Sequence, residues 1–432
     1  MNALIKKITP RFVVKFYRIF RAWSANVYFG FPSRKLIVVG VTGTDGKTTT
    51  CHLIRELLVA AGHQTGLLST IVTVIGGESR VNETKMTTIN AWQIQKSLAA
   101  MVKKNDRYAV VETSSHALDQ DRAWGIAYDV AVITNTSHEH LDYHGTMDEY
   151  RAAKAKLFSG LAKSYRKSFV GKAAVLNQED DTFDSYRQYQ ADQQIFYGLN
   201  NGHIYARDPQ YTIDGTKFTV LTPVGELKIS TRLVGEHNVM NCLAAISVAF
   251  ILGVQPRFII SGLNQAKAVP GRFERINEGQ NFNVIIDYAV TPRAFNSLYS
   301  MIHRFFLKPN QRVIAVFGAA GERDRAKRPI LGEIAAKYCQ QVYLTNEDPY
   351  GENQEFIVSE VARGLIGKGR VQGRDFWIEM DRSKAITKAI KAAQPGDFVI
   401  ITGKGAETSM AVGRQRIPWD DREKAREAIR GR

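Results

Sequence analysis

The stretch VTGTDGKTTT, residues 41–50, decides the architecture. It follows an apolar run, KLIVVG at 35–40, and precedes CHLIRELLVAAG at 51–62, which reads as a helix. Strand, glycine loop, lysine, threonine and helix form the layout in which backbone N–H groups and a helix N-terminus hold an anion. In this reading Gly43, Thr44, Asp45 and Gly46 cradle phosphates and Lys47 supplies a cation for the β- and γ-phosphates. The Thr48 hydroxyl can ligate Mg2+, and Thr49 follows it into the helix. The spacing departs from the usual G-x4-G-K-T because position 41 is Val. The flanking strand and helix are what separate it from a chance glycine turn.

Outward from the loop, strand-like runs such as YAVVETSS, YDVAVITN and AAVLN alternate with helical patterns. That alternation implies a mostly parallel sheet covered by helices. GEHNVMNCLAAISVAFILGV reads as a loop and a helix, and VPGRFERI as a domain junction. A second alternation follows: FNVIIDYA, RVIAVFGAAG, QVYLTNED and DFVIITGKG. The expected fold class is α/β: a P-loop-type, mostly parallel central sheet domain followed by a smaller Rossmann-like α/β domain. The expected boundaries are a basic amphipathic N-terminal segment at 1–34, an ATP-binding central domain at 35–270 and the Rossmann-like domain at 271–432. Neither an internal repeat nor a low-complexity segment is evident.

The chain has 432 residues, 44% of them apolar, enough for full-sized cores. Cys51, Cys242 and Cys339 lie far apart in the sequence, which argues against a disulfide framework and fits a reducing cytoplasm. The formal net charge of +16 suggests an anionic partner: nucleic acid, a membrane surface or phosphorylated substrates. The basic residues carry no nucleic-acid-binding signature, so no nucleic-acid partner is expected. No apolar run reaches the ~20 residues of a membrane span. In RFVVKFYRIFRAW, residues 11–23, Arg11, Lys15, Arg18 and Arg21 share one arc of a helical wheel. Phe12, Phe16, Ile19, Phe20 and Trp23 fall opposite. Two readings stand: residues 8–24 lie on an anionic membrane as an interfacial helix, or the apolar face packs on the protein itself.

Two further segments carry chemistry. In VVETSSHALDQDR, residues 110–122, Glu112 ends a buried strand, where a carboxylate needs either a metal or a salt bridge. ITNTSHEHLDYHGTMDEYRAAKAKLF, residues 133–158, gathers His138, His140 and His144 beside Glu139 and Asp142. Tyr150 and Lys154 are four apart and so share one helix face.

Together these segments resemble the Mur ligases, within them the type that adds the third residue of the muramoyl peptide. GEHNVMN, VPGRFE, DYAVTP, GERDRAKRP, EDPYGE and GKGAE continue the resemblance to the end of the chain. It implies an ATP-dependent acid–amino-acid ligase of cell-wall precursor synthesis. The γ-phosphate of ATP would pass to a substrate carboxylate, and an amine would then displace phosphate to form an amide. Lys47, Glu112, His140 and Lys154 would be the catalytic set. Thr48 and Glu112 would hold one Mg2+, His140 and Lys154 a second, with Lys154 carrying a CO2-derived carbamate because an ammonium cannot ligate a cation. His237, Asn238 and Asn241 match the adenine side, Arg272 the phosphates and Asp287 the ATP side. Thr87, Thr88, Ser114, Gln120 and Arg122 match positions that hold the muramoyl dipeptide, and Asp348 and Glu407 those near the incoming amine. The expected partners are these small-molecule substrates, in the cytoplasm or at the inner face of the membrane.

The sequence departs from the family pattern in four places. The uridine-binding domain that normally precedes the phosphate loop is replaced by the basic leader. Val290 and Ala406 stand where histidines are usual in DYAHTP and GKGHE. Glu347-Asp348-Pro349-Tyr350 stands in place of the DNPR that marks meso-diaminopimelate users, so the arginine for a distal carboxylate is a tyrosine. Two other readings remain. One is a related ligase on a different carboxylate, as in folate polyglutamylation or cyanophycin synthesis. The other is a noncatalytic nucleotide-binding partner of wall enzymes.

Overall fold

A computed structural model describes residues 10–432 except 83, 85, 138 and 414. His138 and residues 8 and 9 of the expected leader helix therefore lie outside the described residues. The chain forms two compact units, 1–266 and 267–432.

The first unit is built on an eleven-stranded sheet. Its strands are β1 (Ile37–Thr42), β2 (Thr65–Leu68), β3 (Val72–Ile75), β4 (Glu78–Val81), β5 (Tyr108–Glu112), β6 (Val130–Ile133), β7 (Ala173–Asn177), β8 (Gln193–Gly198), β9 (Ile204–Thr212), β10 (Gly215–Thr222) and β11 (Gly225–Thr231). The spatial order is β11-β10-β9-β8-β7-β6-β1-β5-β2-β3-β4. From β9 through β2 the neighbours run parallel, and antiparallel strands finish both edges. Every residue of β1, β5, β6 and β7 is buried. Their unbroken apolar runs follow from helices covering both faces. Val39, Val110, Val132 and Val175 enter one core with Leu57 and Ile246. The alternate residues Val38, Val111, Ile133 and Leu176 enter the other with Leu98 and Phe158.

The helix Arg11–Tyr28 belongs to this unit and does not pack by its aromatic arc. Ala22, Ala25 and Asn26 are fully buried, and Val14 and Arg18 are half-buried in line with them. These positions lie on the side read as basic. Asn26 donates through Nδ2 to the Trp124 carbonyl at 3.4 Å, and Gly125 leaves the room for it: a Cβ there would fall 2.5 Å from Nδ2. The aromatic side faces solvent, apart from half-buried Ile19.

The second unit holds β12 (Glu274–Ile276), β13 (Asn283–Asp287), β14 (Val313–Phe317), β15 (Gln341–Leu344), β16 (Phe376–Ile378) and β17 (Phe398–Thr402). Their order is β12-β13-β17-β14-β15-β16, parallel except for β12 against β13. The hairpin β18 (Ser409–Val412) and β19 (Gln415–Pro418) stands apart from that sheet.

Candidate active site

The phosphate loop leaves the end of β1 and turns into the helix Lys47–Ala60. Gly46 caps that helix at φ 79°, in the left-handed region, and a Cβ there would sit 2.3 Å from Asn241 Oδ1. Only glycine combines that dihedral with so close a neighbour. The loop is tied down from β6: Asn135 O accepts from Thr44 N at 2.8 Å, Asn135 Oδ1 from Asp45 N at 3.1 Å, and Thr134 Oγ1 donates to Asp45 O at 2.6 Å. Lys47 folds back, its Nζ donating to the carbonyls of Gly43 (2.9 Å) and Thr44 (2.7 Å).

Glu112 stands at the tip of β5, opposite Val41 of β1, and is 1% exposed. Its Oε1 accepts from Thr48 Oγ1 at 2.8 Å and Thr70 Oγ1 at 2.9 Å, and its Oε2 accepts from Thr70 N at 2.7 Å. The carboxylate is thus held by hydroxyl and amide donors, with no lysine or arginine among these contacts. Among the described residues no three His, Cys, Asp or Glu side chains converge as metal ligands. The Thr48–Glu112 pair gives hydroxyl and carboxylate oxygen, a donor set that fits Mg2+ completed by phosphate and water.

Lys154 lies on the helix Met147–Leu161 and is fully buried. Its Nζ has no hydrogen-bond partner and rests 4.1 Å from the centroid of the Tyr150 ring. Burial, reinforced by the cation of Lys47, drives its amine well below the ordinary lysine range. Tyr150 in turn shares a 3.0 Å hydrogen bond with Thr44 Oγ1, linking this helix to the phosphate loop. His140, at φ 58°, has its ring 6.2 Å from that of Tyr150 and 4.7 Å from that of His116. Desolvation first, then the neighbouring His116 and the cation of Lys47, depress its pKa, so the imidazole is neutral and able to act as a ligand.

The substrate-side residues fall beside Glu112. Thr88 Oγ1 donates to the Glu112 carbonyl at 2.8 Å and accepts from Ser114 N at 2.9 Å. Arg122 donates through Nη1 to the Thr88 carbonyl, while its buried Nε has no partner. Gln120 reaches Tyr143 OH at 3.1 Å. Thr87 is half-buried next to Thr88. His237 is exposed on the first turn of the helix Glu236–Ile251, whereas Asn238 and Asn241 are buried and bonded to each other at 3.1 Å. Asn241 also accepts from Thr50 Oγ1 at 3.3 Å. In this geometry the two asparagines buttress the phosphate loop from beneath.

In the second unit, Asp287 ends β13 and its Oδ2 accepts from Phe273 N at 2.6 Å, while Arg272 lies 4.6 Å over the Tyr288 ring. Asp348 and Glu407 are brought together on Lys404. Its Nζ donates to Asp348 Oδ1 at 2.7 Å and to Glu407 Oε2. Asp348 Oδ1 also accepts from Ala411 N at 2.7 Å. Neighbouring Glu347 is raised to about 7 by burial, against the opposing charges of Arg382 and Lys404. Sequence reasoning missed Thr70, Thr134, Asn135 and Lys404. The last had a signal, since Lys404 directly follows a glycine at the end of an apolar strand run, FVIITGKG.

A glycine loop on a doubly covered parallel sheet, a hydroxyl–carboxylate oxygen pair beside it and a second α/β unit fit the class of ATP-dependent carbon–nitrogen ligases. The chain belongs to the Mur ligase family: the Mur ligase middle domain matches residues 41–249, and the Mur ligase, glutamate ligase domain matches residues 271–405. It is 40% identical over 409 residues to the UDP-N-acetylmuramoyl-L-alanyl-D-glutamate--2,6-diaminopimelate ligase of Bacillus cereus, covering 94% of this chain and 81% of that protein. It is 40% identical over 420 residues to the UDP-N-acetylmuramyl-tripeptide synthetase of a Roseiflexus species, covering 95% and 82%. A solved UDP-N-acetylmuramoyl-L-alanyl-D-glutamate--2,6-diaminopimelate ligase superposes with TM-score 0.62 at 31% identity over 92% of this chain and 78% of that one. The folylpolyglutamate synthase of Mycobacterium tuberculosis, complexed with ADP and AMPPCP, superposes at 0.72 but at 17% identity, a likeness of fold alone; it covers 89% of this chain and 92% of that one.

Proposed function

We propose that this chain joins an amino acid to the free carboxylate of a muramoyl-dipeptide precursor in the cytoplasm, at the inner face of the membrane. The carboxylate oxygen attacks the γ-phosphorus of ATP, and the bond from that phosphorus to the β,γ-bridging oxygen breaks. ADP leaves and an acyl phosphate remains. The amine nitrogen then attacks the acyl carbon, phosphate departs, and the nitrogen loses a proton. Magnesium bound at Thr48 and Glu112, with a second ion at His140 and carbamylated Lys154, would neutralise charge between carboxylate and triphosphate. Lys47 keeps its ammonium on the loop, within a side-chain rotation of a phosphate seated there. Thr88, Ser114 and Arg122 would hold the acceptor next to Glu112, with Thr87 and Gln120 beside them. Arg272 and Asp287 would serve ATP, as the family resemblance of their segments implies.

The observation that carries this reading is Lys154. An unpaired ammonium inside a protein is costly, and a scaffold without chemistry gains nothing by keeping one. A buried neutral amine next to the phosphate loop is instead what attack on CO2 requires. The test is isotope transfer. An acceptor labelled with 18O in its carboxylate should hand one labelled oxygen to inorganic phosphate for each amide formed. Amide formation with unlabelled phosphate would contradict the acyl-phosphate route.

A further inference from the structure

The orientation of the helix Arg11–Tyr28 has a functional consequence. Its buried line is made of small or polar side chains, Ala22, Ala25 and Asn26, so the helix is held to the body of the first unit by its less apolar side. The opposite side is left in water: Phe12 is 74% exposed, Phe16 70%, Phe20 52%, Trp23 47% and Val27 46%. These five positions form one stripe, about 22 Å long at 1.5 Å per residue. Phe16 and Phe20 stack at 6.4 Å, and Phe20 meets Trp23 at 5.9 Å, so the middle of the stripe is continuous. At its C-terminal end Tyr28, 72% exposed, packs on exposed Trp92 at 5.1 Å. Tyr and Trp prefer the boundary between apolar and wet surroundings.

The charge around the stripe has one sign. Lys15 and Arg21 are exposed on its two flanks. Before the first acid of the chain, Asp45, the sequence carries Lys6, Lys7, Arg11, Lys15, Arg18, Arg21, Arg34 and Lys35 and no carboxylate side chain. Half of the net charge of +16 thus falls in the segment that carries the stripe. A protein groove receiving it would need a matching excess of acid. An anionic bilayer supplies both an apolar layer and a negative surface at the depths where the side chains need them. No described helix is long and apolar enough to cross a membrane, so the contact is peripheral.

We propose that the helix Arg11–Tyr28 seats this chain on an anionic lipid surface, with Phe12, Phe16, Phe20, Trp23 and Val27 entering the acyl boundary and Lys15 and Arg21 reaching headgroup phosphates. The rigid seating on Ala22, Ala25 and Asn26 turns the stripe outward before any membrane is met, so binding needs no refolding of the body. The test is sedimentation of the full chain with vesicles of phosphatidylglycerol and phosphatidylcholine, or of phosphatidylcholine alone, at low and high salt. Wild type should pellet with the anionic vesicles at low salt only. Phe16→Glu/Phe20→Glu and, separately, Lys15→Glu/Arg21→Glu should each lower partitioning by about tenfold or more. Both variants should keep the wild-type melting temperature, because the replaced side chains stand in solvent. Wild type remaining in the supernatant overturns the proposal, as does a variant pair that binds like wild type. A lower melting temperature in the phenylalanine pair alone means that the stripe packs on protein. A dimer in light scattering, dissolved by that pair, means that a second copy covers it. Ligation of soluble substrates without lipid, measured in parallel, bears only on the chemistry and is unchanged by either variant.

Discussion

At the scale of single residues, Lys154 carries the most chemical information. Its amine is buried and unpartnered, with its pKa pressed down by burial and by Lys47. An unfolded lysine holds its proton up to pH ~10.4. Between the depressed native pKa and that value the unfolded chain binds more protons, so wild-type stability rises with pH across this window. Lys154→Met removes the titrating group and keeps the volume. In CO2-free buffer the variant should therefore gain stability relative to wild type at pH 7 and lose that advantage towards pH 10, as read from denaturant midpoints. Its turnover should fall by about 100-fold or more, because a ligand for charge neutralisation is gone. In Lys154→Ala, short carboxylic acids should restore part of the rate. Full activity of the alanine variant without additive would exclude a role for the carbamate. Lys47→Ala should lower phosphoryl transfer by about 100–1,000-fold while the fold persists, the loss expected for one charge aimed at a reacting phosphate. A wild-type burst of acyl phosphate from that variant would place the ATP site elsewhere. Lys47 and Glu112 stand out in the sequence through local patterns of loop and strand end, whereas Lys154 was singled out by the family resemblance. Thr70 and Asn135 were not: their partners lie 42 and 90 residues away, and no local pattern announces such a hydrogen bond.

At the scale of elements, the phosphate loop depends on a glycine that meets an asparagine from another helix. Gly46→Ala forces a left-handed alanine, at about 1–2 kcal/mol, and drives its Cβ onto Asn241 Oδ1. The expected outcome is a cooperative protein with a melting point lowered by a few degrees and little further stabilisation by MgATP. A variant stabilised by MgATP as strongly as wild type would show that the loop tolerates the change. Asn241 also illustrates where sequence pattern stops. The HNxxN spacing identifies the pair with Asn238, but its seat beneath the loop emerges only when the helix Glu236–Ile251 packs alongside Lys47–Ala60. The leader is similar. Its 3.6-residue period identifies an amphipathic helix, yet the pattern alone leaves the aromatic face either on a membrane or against the protein. Packing decides between them: Ala22, Ala25 and Asn26 are the buried side chains, and Asn26 sits against Gly125, where a phenylalanine would have no room.

At the scale of the whole molecule, the alternation of strands and helices made both sheets legible, including the parallel centre, since runs such as IVVGVT and FVIIT have no polar face to leave in water. The antiparallel extension β9–β11 was less so: its strands are long and half-exposed, and their alternating polarity gives only a weak pattern. The second unit bears on which amine is used. Asp348 and Glu407 already share Lys404, and Tyr350 occupies the place of the arginine that would meet a distal carboxylate. Lysine is therefore expected to outcompete meso-diaminopimelate when both are supplied with one acceptor, with Glu347 contributing a buried carboxyl to that environment. Preference for meso-diaminopimelate would instead point to Arg323 or Lys327 as the carboxylate's partner. Whichever amine is used, the reaction is amide formation driven by ATP on a muramoyl-dipeptide carboxylate. It is tested most directly by incubating the chain with MgATP, bicarbonate, the UDP-linked or lipid-linked dipeptide and a panel of amino acids, and weighing the products. One new species should form, heavier than the acceptor by an amino acid minus water, with equal amounts of ADP and phosphate, and none without ATP. An acceptor that keeps its mass under every amine, with ATP unspent, would contradict it.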